Sequence, residues 1–358
     1  MAYTNINDPS AYFQTATYTG DGIEPRNIDV GFQADLIWAK DRTFAYHHRV
    51  FDSSRGGAPL YSNQTSVEDS YNDGPEIDFS SPYSNGFKII DNPDGATNSY
   101  GVNMNNNLMV SWNWKANGGT TSSNTDGDVT STVQVNQDAG FSIVTDGPHA
   151  NTNARTIGHG LGVVPQVVIR RARNRVENWR VFHSAAGSTG ALTLDGTAAH
   201  NSSTVLFTGV TSTTFGVGTD FSVNGNYNYV AYCFAEKQGY SRFGKYIGTG
   251  NRSQAPFVYT GFKPAFVMVR CSNLTGQWLM FDSARNPYNG DFDYILANQA
   301  AVEENSGLSF VDPIDFLSNG FRVMNYDAWM NGGGNTYVYM AFAENPFTTS
   351  TGVPTTAR

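Results

Sequence analysis

The chain has 358 residues, a formal net charge of −9 and a sequence pI near 5.1. That acidity excludes general nucleic-acid binding, because phosphate contacts need clustered Lys and Arg. Apolar residues make up 39% and charged residues only 15%, with 19 Tyr, 23 Phe and 37 Gly, a composition that suits pleated, half-buried surfaces joined by tight turns and so an all-β protein.

Nothing approaches the run of about twenty apolar residues that a membrane-spanning helix requires, so no membrane insertion is expected. The opening MAYTNINDPSAYFQTATY has neither a basic nor an apolar leader region, and no signal peptide is expected. Cys233 and Cys271 make neither a disulfide framework nor a zinc site and read as small buried hydrophobes.

In chain order, residues 1–15 read as a polar arm that orders only if something holds it. A first β-sandwich repeat is expected over 16–116, a linker with a possible edge strand over 117–140, and further repeats over 141–240 and 241–347. A polar tail covers 348–358. Neighbouring subunits are expected to pin both ends.

The repeat rests on three recurring strands. Gly31–Lys40, Gly162–Arg171 and Gly261–Arg270 each lead from a glycine turn into an apolar run, which reads as a strand covered on both faces. Arg49-Val-Phe-Asp-Ser, Trp179-Arg-Val-Phe-His-Ser and Trp278-Leu-Met-Phe-Asp-Ser follow. The closing strands then stack Val110, Val230 and Val338 in one column, with Trp114, Phe234 and Phe342 four residues on. Around Asn63 and Asn298 the outer copies also share a short segment, read as one helical turn at most. The expected architecture is three tandem sandwiches, jelly-roll or lectin-like, each burying its own core.

Candidate chemistry is sparse. Asp52 with Arg55, and Asp282 with Arg285, read as exposed local pairs holding strand-end turns; the middle copy has His183 and Ala186 there. Lys40, Arg171 and Arg270 recur at the strand end, where a cation guards against edge pairing. Arg171 and Arg173, in the one basic cluster, are candidate binding residues whose simpler reading is a solvated strand face. Tyr326 and Trp329, in the last loop, are candidate sugar-stacking rings that could equally pack between repeats. His47 and His48 would point to opposite faces of a strand, and His159 lies in a turn. No metal, cofactor or catalytic set is expected, and the chain does not read as an enzyme.

Four segments together, Thr156–Pro165 (TIGHGLGVVP), Ala139–Val144 (AGFSIV), Tyr259–Ala265 (YTGFKPA) and Tyr339–Phe347 (YMAFAENPF), carry a resemblance. They resemble a repeat family of virion structural and tail-fibre-like proteins of marine tailed bacteriophages, over about residues 16–347. The family's pattern includes no catalytic residues. The resemblance implies a virion location, other virion proteins as partners and a homo-oligomer, a trimer above all. It implies a tail-associated fibre or receptor-binding role, with a host-surface glycan or protein as receptor. A capsid-decorating or head-fibre protein and a glycan-binding module are the alternatives.

Overall fold

The computed structural model describes residues 4–69, 75–90, 101–290, 293–304, 313–325 and 327–355. In the first third, β1 (Phe13–Thr19), β2 (Arg26–Asp29), β3 (Leu36–Asp41), β4 (Arg49–Asp52), β5 (Gly56–Leu60), β6 (Gly86–Ile89) and β7 (Leu108–Trp114) form two sheets. The large one runs β1-β7-β3-β4-β5 and the small one β2-β6.

The middle third contributes β8 (Ser122–Asn124), β9 (Ser131–Asn136), β10 (Phe141–Asp146), β11 (Arg155–Gly158) and β12 (Val167–Ala172). It continues with β13 (Arg180–His183), β14 (Leu192–Thr193), β15 (Phe207–Val210), β16 (Thr214–Val217) and β17 (Tyr229–Phe234). Its sheets are β14-β13-β12-β17-β10-β9-β8 and β11-β16-β15.

The last third has β18 (Ser241–Ile247), β19 (Phe257–Tyr259), β20 (Phe262–Cys271), β21 (Trp278–Asp282), β22 (Ile295–Leu296), β23 (Ile314–Leu317), β24 (Gly320–Val323) and β25 (Thr336–Pro346). These form β18-β25-β20-β21-β22 and β19-β24-β23. The protein is all-β with several sheets. In each large sheet the closing strand lies between the first two strands of the shared order, and Leu36↔Trp114, Val167↔Phe234 and Phe266↔Phe342 occupy one register position.

Alternation of side chains along a strand decides where the cores lie. One face of each large sheet meets a small sheet. Ile37 and Phe51 pack with Ile28 and Phe87, Val168 and Cys233 with Phe207 and Phe215, and Val267 and Phe281 with Val258 and Phe321. The opposite faces of all three large sheets converge on one further cluster, which holds Trp38, Trp112 and Trp114 together with Tyr232, Phe234, Phe266, Met340 and Phe342. β3, β12 and β20 are therefore buried on both faces through their apolar runs. Separate cores were expected; a shared one was not.

At the centre of that cluster Trp114, Phe234 and Phe342 touch each other. Their ring centroids are 6.1, 5.5 and 5.9 Å apart for the Trp114–Phe234, Trp114–Phe342 and Phe234–Phe342 pairs. The column read from the sequence is thus a triangle of rings joining three sheets.

The stretch after β7 is fastened down. Asp35 accepts from Ser53 Oγ (2.8 Å) and from the backbone N–H groups of Ala116 (2.8 Å), Gly118 and Gly119 (both 3.0 Å). Gly118 and Gly119 have φ of +59° and +80°, a backbone that lets successive N–H groups converge on one carboxylate. Burial still raises the Asp35 pKa, against the lowering by these donors. Beyond them β9 and β8 extend the edge of the middle large sheet.

The arm is held by its own chain. Phe13 starts β1, Ile6 joins the central cluster, and Thr4 Oγ1 and Asn5 N donate to Gln238 O at 2.7 and 3.1 Å. Asn7 exchanges hydrogen bonds with Ser350 near the other end, at 2.8 and 2.9 Å. Pinning by neighbouring subunits is not required at either place. The segment around Asn63 and its counterpart near Asn298 are turns without a helix.

Candidate functional site

The polar groups singled out by the sequence gather along three seams where one large sheet meets the next. A backbone bond opens each seam: Glu68 N to Arg173 O (2.8 Å), His200 N to Ser272 O (2.8 Å) and Glu303 N to Arg42 O (3.1 Å). A ring nitrogen then crosses to a carbonyl on, or one residue past, the neighbouring sheet's end strand. Trp179 Nε1 donates to Tyr61 O (2.8 Å), Trp278 Nε1 to Thr193 O (2.9 Å), and His48 Nε2 to Leu296 O (3.0 Å). The third sheet reaches to the second, the second to the first and the first to the third, so the contacts close a ring.

Two of the recurrent cations, Arg171 and Arg270, lie in these seams, and none of the three guards an edge. Lys40, Arg171 and Arg270 are completely buried. Arg171 donates to Thr65 O (2.6 Å), Ser66 O and Glu177 O, and Arg270 to Gly196 O (2.7 Å) and Ala198 O (2.5 Å). Lys40 bonds Asp41 O and Phe44 O within its own sheet. Burial lowers all three, Lys40 to about 8 and both arginines to about 10. Arg173 bonds Glu68 across the first seam (2.9 Å), as Arg42 bonds Glu303 (2.8 Å) across another. A solvated strand face is overturned for Arg171, which is buried; Arg173, one residue past β12 with its side chain 24% accessible, joins the same seam through Glu68.

The strand-end acids are equally enclosed. Asp52–Arg55 and Asp282–Arg285 do hold turns, since Arg55 N and Arg285 N donate to the aspartates at 3.0 and 2.9 Å. Both pairs, expected to be exposed, have side chains with no accessible surface. Each guanidinium also reaches a seam glutamate, Arg55 to Glu68 and Arg285 to Glu303. Each aspartate receives a donor from the adjoining sheet: Tyr232 Oη to Asp52 (2.7 Å) and Trp112 Nε1 to Asp282 (3.0 Å).

This explains the divergent middle copy. The position equivalent to Tyr232 and Trp112 in the third sheet is Met340, which has no proton to give. An aspartate opposite it would be buried without that donor. His183 stands there instead, accepting from Ala185 N at Nδ1 (3.2 Å) and donating from Nε2 to Tyr339 O (3.1 Å). The arrangement needs neutral imidazole, and burial lowers the His183 pKa to about 4.

Stability linked to His183 is therefore complete above its unfolded pKa of about 6.5 and lost as pH falls toward 4, at about 1.4 kcal/mol per pH unit. Denaturation midpoints measured from pH 7.5 to 4.5 should show the decline. His183→Gln should reduce its slope by about one proton.

Trp329 is half-buried against the cluster of the third large and small sheets, and its backbone N–H donates to Asp327 Oδ1 (2.7 Å). Tyr326 lies outside the described residues. His48 also accepts from Trp38 Nε1 at Nδ1 (2.9 Å), so its two nitrogens are committed; His159 bonds the turn at Leu161 N and Thr211 O (both 3.2 Å). Cys233 and Cys271 are free and buried. Among the described residues no group of three or more His, Cys, Asp or Glu is placed to hold a metal ion, and no helix is long and apolar enough to cross a membrane. What sequence reasoning missed is the outward pair Phe257 and Tyr259, 49% and 59% exposed. Its signal was the alternation of Phe-Val-Tyr on a short strand.

Fold and seams define an all-β protein whose buried polar side chains join its sheets. The chain belongs to the DUF7483 family, a domain of unknown function, whose model matches residues 8–346. No curated protein and no solved structure matches it.

Proposed function

We propose that the chain is a structural protein of a tailed-phage particle, acting by surface contact without catalysis as a tail-associated fibre or receptor-binding component. On this reading it is three tandem copies of one two-sheet sandwich, fused around the ring triangle. The observation that carries the proposal is the set of closed seams, in which recurrent acids, cations and histidines are consumed by joining sheets. What remains outward is a rigid scaffold suited to presenting surfaces. The segment resemblance supplies the virion context.

On the same reading one chain carries three-fold order of the kind a homotrimer brings, which suits a piece seated on a three-fold neighbour in the particle. The capsid-decoration alternative drew on arms lacing across neighbours, and the hold of the chain on its own N-terminal segment removes that support. Immunogold labelling of intact virions with an antibody against this chain tests the proposal. Label at the tail is the expected result; label over the head sinks the tail role, and unlabelled particles sink the virion reading.

A further inference from the structure

β19 is where the third small sheet departs from the other two. Val258 faces inward like Ile28 and Ile157, and its neighbours Phe257 and Tyr259 face out. By register, Tyr259↔Gly320 matches Asp29↔Gly86 and Gly158↔Thr214, while Phe257↔Arg322 matches Asn27↔Lys88 and Thr156↔Gly216. The first two sheets thus have small or polar residues where the third has two rings.

Those polar residues are also engaged. Asp29 accepts from Tyr83 Oη (2.5 Å) and Asn85 Nδ2 (2.9 Å), and Thr156 Oγ1 donates to Asp128 (2.9 Å). Phe257 and Tyr259 are 49% and 59% exposed, and a Cβ on Gly320 would come within 3.1 Å of the Phe257 ring. One ring therefore leans across the neighbouring strand. Residues two apart on a strand are separated by about 6.5–7 Å on one face, a spacing on the scale of one sugar residue.

We propose that this outer face binds a neutral polysaccharide, with Phe257 and Tyr259 stacking on the apolar faces of its sugar rings. Arg322, which pairs with Phe257 across the sheet in register, offers a donor for hydroxyl groups. The same residue argues against a protein partner. A stable protein interface takes about 800 Å² from each side with a desolvated apolar centre, and here charge begins one strand from the rings. A nucleic acid is disfavoured by the net charge of −9. The inference rests on the surface-contact reading and is independent of the virion location.

The test is affinity electrophoresis of the purified full chain through gels containing dextran, mannan, galactan or laminarin. Retardation is expected in at least one gel, with Phe257→Ala and Tyr259→Ala each weakening it about tenfold, the equivalent of one lost ring contact. Phe44→Ala, at a ring 52% exposed in the first third of the chain, should leave it unchanged. Unretarded migration in all four gels overturns the proposal, as does retardation that both ring variants retain. Capture of a virion protein through these rings, without polysaccharide retardation, overturns it in favour of a protein partner. Because the assay uses no virions, its failure is separable from failure of the labelling experiment.

Discussion

Arg285→Met should lower the stability of the whole chain by about 3–5 kcal/mol, the range for breaking a buried ion pair by removing one partner. The guanidinium bonds Asp282 (2.6 Å), Glu303 (2.7 Å) and Met280 O (3.1 Å), and none of its surface is accessible on the side chain. Its loss strands Asp282 with Trp112 Nε1 and local backbone donors. Glu303 keeps Arg42 at 2.7 Å, so most of the penalty falls on the aspartate. Two comparisons in urea isolate the cause. Asp282→Leu combined with Arg285→Met should recover much of the loss, because it removes the stranded charge. Glu236→Gln, at the Arg242–Glu236 pair with side chains 51% and 28% accessible, should change stability by less than about 1 kcal/mol. Equal effects at the buried and exposed pairs would contradict the enclosure of the seams.

The sequence and the fold met where short-range chemistry decides the structure. Continuous apolar runs at Leu36–Ala39, Val167–Ile169 and Phe266–Val269 specify strands covered on both faces, and the chain places them so. Alignment also put Trp114, Phe234 and Phe342 in one column, but a column does not say whether its members share a core. Their meeting depends on how three sheets are disposed in space, and no local pattern encodes that. The same gap explains the misplaced charges. Lys40, Arg171 and Arg270 look like surface cations because their acceptors are mainly backbone carbonyls, which have no side-chain signature. The loss of Asp and Arg in the middle copy likewise looked like divergence. It becomes intelligible only beside Met340, some 150 residues away in the chain (Tyr339 bonds His183 at a sequence separation of 156). Phe257 and Tyr259 were readable as an alternating strand, but which neighbour covers an outward ring is again a tertiary fact.

Phe342→Ala should cost about 3–5 kcal/mol, as for a large aromatic removed from a core that cannot collapse onto the gap. The ring contacts Phe13 (5.0 Å), Trp114 (5.5 Å), Phe243 (5.6 Å), Tyr240 (5.8 Å), Phe234 (5.9 Å) and Phe266 (6.3 Å), drawn from all three large sheets. Relaxation to fill the hole would have to move three sheets that are also tied by the seams. The decisive observation is how the loss is distributed. If each sheet pair unfolded independently on the core between its own two sheets, the variant would unfold in two steps, the last third first. A common core predicts one transition, with tryptophan fluorescence and far-ultraviolet dichroism shifting to the same lower urea midpoint. Trp38, Trp112 and Trp114 report on the first large sheet, Trp179 on the second, and Trp278 and Trp329 on the third, so fluorescence follows all three although the substitution lies in one. Coincident curves would mean that the repeat is a feature of the sequence and that the cooperative folding unit is the whole ring. Fluorescence and dichroism curves that both split, with one phase kept at the parent midpoint, would show independent domains.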